Sequence, residues 1–126
     1  MTPEAATAAA DLLTRHWRAG TRLAALPEAL RPRTRAEGYA IQSQWTRRTS
    51  APLFGWKIAA TSAAGQQHIG VDGPIAGRLL AERVLAPGTA LPLGRNRMRV
   101  AEAEFAFRMG HTLAPQSAAF TVAQVM

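Results

Sequence analysis

RVAEAEFAF, residues 99–107, sets two carboxylates, Glu102 and Glu104, inside an apolar run. Only eight of the 126 residues are acidic, so the pairing asks for a reason. Read as a strand over 98–109, the segment places Arg99, Ala101, Ala103, Phe105, Phe107 and Met109 on one face, and Val100, Glu102, Glu104 and Ala106 on the other. The two glutamate Cα atoms then stand about 6.6 Å apart, and their charges repel by about 2.5 kcal/mol at an effective dielectric of about 20. A hard divalent cation, which takes oxygen ligands, removes that repulsion. Ala-Glu-Ala-Glu also suits a helix, while Val100, Phe105 and Phe107 favour a strand. Spacing alone leaves both open.

Upstream, LFGWKIAA (53–60) alternates in the same way, with Phe54, Trp56 and Ile58 on one face and Gly55 and Lys57 on the other. This predicts a short strand whose lysine turns away from the apolar side. Lys57 is the one lysine among fifteen basic residues. A compositional drift toward arginine leaves a lysine where a compact, titratable ammonium matters.

The rest of the chain supplies the frame. Thr2, Pro3 and Glu4 open an Ala-rich helix with Leu12, Leu13 and Trp17 on its apolar side, and Gly20 stops it. Thr34 and Glu37 form a capping box for a second helix carrying Ile41 and Trp45, ending near Ser50. Thr61 or Ser62 caps a brief helix through His68, VDGP (71–74) is a turn, and short strands are expected around 77–85 and 90–93, separated by a Pro87-Gly88 turn. Thr121 caps the opening of a further helix. Helices come first and strands after, which is α+β order, with a helical segment over 1–50 and a sheet-forming part over 51–126.

Composition narrows the chemistry. The chain has no cysteine, and its three histidines are dispersed, so sulfur-ligated zinc and thiol catalysis are excluded. The net charge of +7 suggests an anionic partner. Yet the arginines are scattered (Arg31, Arg33 and Arg35; Arg47 and Arg48; Arg95, Arg97 and Arg99) without interleaved aromatics, so no nucleic acid partner is expected. A small basic binding module is the rival reading. An acidic start and the lack of any run of about 18 apolar residues predict a cytoplasmic protein with no membrane partner. Trp17 and Trp45 read as core, Asp72 as a turn former, and His68 and His111 as surface or core-edge residues.

Taken in order, GYAIQ (38–42), GWKIAATS (55–62), QQHIGVDGPIAG (66–77) and RVAEAEFAF (99–107) resemble the N-terminal half of the 2-keto-4-pentenoate hydratase branch of the fumarylacetoacetate hydrolase superfamily. The resemblance implies N-terminal helices leading into part of a mixed β-roll, with the chain truncated relative to that family. It implies Glu102 and Glu104 as ligands to Mg²⁺ or Mn²⁺, with a third carboxylate falling beyond Met126. It assigns Lys57 to proton transfer or to the substrate carboxylate. The implied reaction adds water to a 2-hydroxy-2,4-dienoate to give a 4-hydroxy-2-oxo acid, in a homo-oligomer when full length. A decarboxylase acting on a 2-oxo acid is the alternative within the same superfamily. Where many members carry an acid after the Pro of the turn, Ile75 and Ala76 follow Pro74 here.

Overall fold

The first helix, α1 (Pro3–Ala19), begins and ends where its caps require. Thr2 Oγ1 accepts the Ala5 N–H at 3.2 Å, and Gly20, at φ 65°, returns its N–H to the His16 and Trp17 carbonyls. The structure, a computed structural model, describes residues 1–94, 96 and 98–126; Arg95 and Arg97 lie outside the described residues. It divides into two units, Met1–Asn96 and Arg97–Met126.

In the first unit the buried stripe of α1 is built from small residues, Ala6, Ala9, Ala10 and Thr14, against which Ile41 of α2 (Arg35–Ser43) is buried. Leu13, Leu30 and Trp45 pack around this cluster. Alanines at these positions let two helices approach closely, which large side chains would prevent. Trp17, expected in the core, is instead 47% exposed. Its ring lies against Trp45, with centroids 4.9 Å apart, and the Arg83 guanidinium covers it at 4.0 Å. With the helix contact made of alanines, Trp17 is left at the rim.

α2 opens on the predicted capping box. Thr34 Oγ1 accepts the Glu37 N–H at 3.2 Å, and the Glu37 carboxylate accepts the Thr34 and Arg33 N–H groups and pairs with the Met1 ammonium. That ammonium and the backbone donors hold the Glu37 carboxyl below its ordinary value of 4.5. The helix continues as a 3-10 turn over Gln44–Arg47.

β1 (Leu53–Ala59) pairs antiparallel with β2 (Ile75–Leu80), joined through α3 (Ala63–Ile69). α2 meets this hairpin at the backbone of β2. Tyr39 Oη accepts the Ala76 N–H at 3.1 Å, and Gln42 Nε2 donates to the Ala76 carbonyl at 3.0 Å. Both groups of one residue are thereby satisfied by side chains as a neighbouring strand would satisfy them. Gln42 Oε1 also accepts from Arg78 Nη1 at 3.1 Å. The GYAIQ stretch thus joins helix to sheet.

This attachment at an edge reverses the expected burial of β1. Gly55, Lys57 and Ala59 are the half-buried residues, whereas Phe54, Trp56 and Ile58 are 64%, 48% and 48% exposed. Among the described residues the helices leave the apolar side exposed, and the Arg78 guanidinium lies over the Trp56 ring, at 4.6 Å. The second strand also starts earlier and ends sooner than the expected 77–85, giving way to a 3-10 turn over Ala81–Arg83. Residues 90–93 form no strand, although the Pro87-Gly88 turn is present.

In the second unit, residues 99–109 are neither strand nor helix among the described residues. The period-2 pattern is present in the sequence, but a strand is defined by a ladder, and this segment enters no sheet. Phe105 is fully exposed, with Phe107 at 74% and Val100 at 62%. α4 (Val122–Val125) follows, and Gln124 Oε1 accepts the Thr121 N–H at 2.8 Å. The class is therefore α+β, with N-terminal helices and a two-stranded antiparallel sheet.

Candidate active site

Lys57 sits mid-strand in β1, half-buried, opposite Gly77 of β2. Its strand ends abruptly. Ala60 takes a left-handed conformation (φ 56°), a geometry that costs a residue with a Cβ about 1 kcal/mol or more. The turn is held from α3, where Gln66 Nε2 donates to the Ala60 carbonyl at 3.0 Å and Ser62 Oγ accepts the Gly65 N–H at 3.1 Å. A Cβ at Gly65 would lie 3.3 Å from Ser62 Oγ, so glycine suits that close approach. The GWKIAATS stretch is accordingly a strand, a strained exit and a helix cap in succession.

The turn that follows α3 is fastened to α2 by an ion pair between Arg35 and Asp72. Asp72 is thus a turn residue tied to a helix start, and His68 is exposed on α3. Ile75 and Ala76, at the positions where the resemblance implies an acid, are both half-buried in β2, and Ala76 is the residue that Tyr39 and Gln42 hold. The roles of Tyr39 and Gln42 are visible in the sequence only as two hydrogen-bonding side chains three apart on one helix face; their shared partner, Ala76, is set by the fold.

Glu102 and Glu104 belong to the second unit, where both are exposed and two residues apart on non-helical backbone. His111 is exposed as well. Among the described residues no group of three or more acidic or histidine side chains surrounds a metal-sized space. The donors present are oxygen donors, as Mg²⁺ prefers, and one or two carboxylates with waters and substrate oxygens are its usual protein complement. Kind and number therefore fit Mg²⁺ bound jointly with solvent or substrate, and do not fit an enclosed protein cage.

Comparison with characterised sequences adds the family. The chain is 32% identical over 116 residues to a 2-keto-4-pentenoate hydratase of Paraburkholderia xenovorans, covering 90% of this chain and 43% of that protein. It is 35% identical over 116 residues to 2-keto-4-pentenoate hydratase 2 of Dechloromonas aromatica, with the same coverage. It is 32% identical over 108 residues to the TodF product hydratase of Pseudomonas putida, covering 83% of this chain and 40% of that one. No family model and no solved structure matches. Because only about a tenth of this chain is left out of the first two matches, residues 55–107 and all their motifs fall inside them. The chain is a relative of the hydratases. More narrowly, it is a relative of the 2-keto-4-pentenoate hydratases, as its motifs indicated, and it spans about two fifths of their length.

Proposed function

We propose that this chain carries the lysine and two carboxylates of a hydratase that adds water to a 2-hydroxy-2,4-dienoate, giving a 4-hydroxy-2-oxo acid. The observation that carries the reading is the match to named hydratases across nine-tenths of the chain. In such a reaction the enol oxygen becomes a carbonyl, water supplies the new hydroxyl, and protons move to carbon. The residues required are therefore a proton carrier and a holder for the substrate carboxylate. Lys57 Nζ suits either task, since an ammonium donates protons and attracts a carboxylate. Its strand fixes the backbone by pairing with β2, and the half-buried surroundings of Lys57 limit competing water.

Glu102 and Glu104 would hold Mg²⁺ or Mn²⁺. Such an ion, when bound, draws charge from the substrate oxygens as the enolate forms. The sheet of this chain would form part of a mixed β-roll, and the full-length assembly would be a homo-oligomer.

The test grafts this chain in place of the matched segment of the Dechloromonas aromatica hydratase and follows dienoate loss by absorbance. Turnover that needs Mg²⁺ or Mn²⁺ and is lost in both Glu102→Ala and Glu104→Ala supports the reading. Turnover indifferent to both substitutions overturns the assignment of the metal ligands. Mn²⁺ binding to the ungrafted chain, followed by its electron spin signal, gives a second readout; it should weaken in either variant.

A further inference from the structure

Outside the hairpin, the first unit has a groove of about 510 Å³ lined by Asp11, Thr14, Arg15, Arg18, Ala19 and Arg48. That volume lies in the range of small-ligand sites. Three guanidiniums and one carboxylate line it, and they are not equivalent. Arg48 is locked: Nε and Nη2 hold Asp11 Oδ1 at 2.8 and 2.6 Å, Nη1 donates to the Gln44 carbonyl at 2.5 Å, and Nη2 donates to the Thr7 carbonyl at 3.2 Å. The single carboxylate is thus engaged by Arg48. Arg15 and Arg18, one helical turn apart on α1, enter no ion pair among the described residues. The groove therefore keeps two positive charges in excess.

Arginines near the end of a helix offset its dipole, which is a sufficient reason for one of them. It does not account for two beside a concave surface, one of whose sides is a guanidinium already fixed by four hydrogen bonds. The Arg15 and Arg18 guanidiniums match the oxygens of a small dianion, because guanidinium pairs with carboxylate or phosphate in a planar, two-point geometry, while Arg48, with four of its five N–H donors engaged, keeps one for a ligand. We propose that this groove binds a small dianion, either a phosphate monoester or a dicarboxylate, through the guanidiniums of Arg15 and Arg18, with Arg48 as a fixed wall that offers one remaining N–H. The proposal is independent of the hydratase reading, since none of these residues belongs to the hairpin or to 99–107.

The experiment titrates the full chain with inorganic phosphate, and separately with succinate, at constant ionic strength, following backbone amide shifts. Three proteins are compared: the wild type, Arg15→Gln with Arg18→Gln, and a charge-matched control, Arg33→Gln with Arg108→Gln, whose residues do not line the groove. Glutamine is a good helix former, so α1 should persist, and circular dichroism checks it. The expected result is shifts centred on Thr14–Ala19 and Arg48, with affinity reduced about tenfold or more in the groove variant and unchanged in the control. Equal affinity in all three proteins, or equal loss in both variants, would overturn the proposal by showing a response to bulk charge only. Duplex DNA binding that survives the groove substitutions while neither small anion binds would also overturn it.

Discussion

At the scale of single residues, the segment that follows Lys57 contains two left-handed positions of opposite character. Ala60 (φ 56°) bears the strain of a Cβ in that region, while Gly70 (φ 70°), which caps α3, does not. Ala60→Gly should therefore raise stability by about 0.5 kcal/mol, relief of strain exceeding the added freedom of the unfolded chain. Gly70→Ala should lower it by about 1 kcal/mol, although a Cβ there meets nothing within 4 Å. Urea unfolding of the two variants reads both signs, and the same sign for both would contradict the conformational account. Glu37 supplies a second residue-level prediction. Its folded carboxyl titrates below its ordinary value of 4.5, so it favours the folded state above that value, and the contribution is lost as pH falls through the lowered one. The urea midpoint should drop between about pH 6 and about pH 3, and Glu37→Gln should make that decline shallower. An unchanged acid limb in Glu37→Gln would remove Glu37 from the account.

At the scale of elements, what was legible in the sequence was what local chemistry decides. Thr2, Gly20, Thr34 with Glu37, Ser62 and the VDGP turn each announce a backbone event within four residues, and each event occurs. What was not legible depends on partners distant in the chain. The alternation of 53–60 gives a strand but cannot say which side is covered, because that is set by where α2 lands. It lands on Ala76, through Tyr39 and Gln42. Tyr39→Phe should consequently speed hydrogen exchange of the Ala76 amide by about tenfold, while amides bonded between β1 and β2 keep their protection. Gln42→Ala should cost more, about 1–3 kcal/mol, because it strips a partner from both the Ala76 carbonyl and Arg78, whose Nε is already buried without one among the described residues. Uniform loss of protection across the hairpin in Tyr39→Phe would mean that the bond supports the whole sheet and not its edge.

At the scale of the whole molecule, the likeness to the 2-keto-4-pentenoate hydratases was readable because it lies in an ordered series of motifs, and the matches to named hydratases take in all of the series from 55 to 107. The candidate site was readable only as residue types. Lys57 stood out by being the sole lysine, and Glu102 and Glu104 by their alternation, but neither feature carries the ladder that would make 99–107 a strand. That segment remains apolar and exposed, with Phe105 fully accessible. A run of this composition needs a covering surface, and sequence periodicity cannot name one. No helix among the described residues is long and apolar enough to cross a membrane. The proposed role of Lys57 is read out by kcat of the grafted Dechloromonas aromatica enzyme with Lys57 and with Lys57→Met, which keeps the stem and removes the ammonium. If Lys57 moves a proton or holds the substrate carboxylate, kcat should fall by about 100-fold or more with the assembly state unchanged. A kcat within about threefold of the parent graft would contradict it.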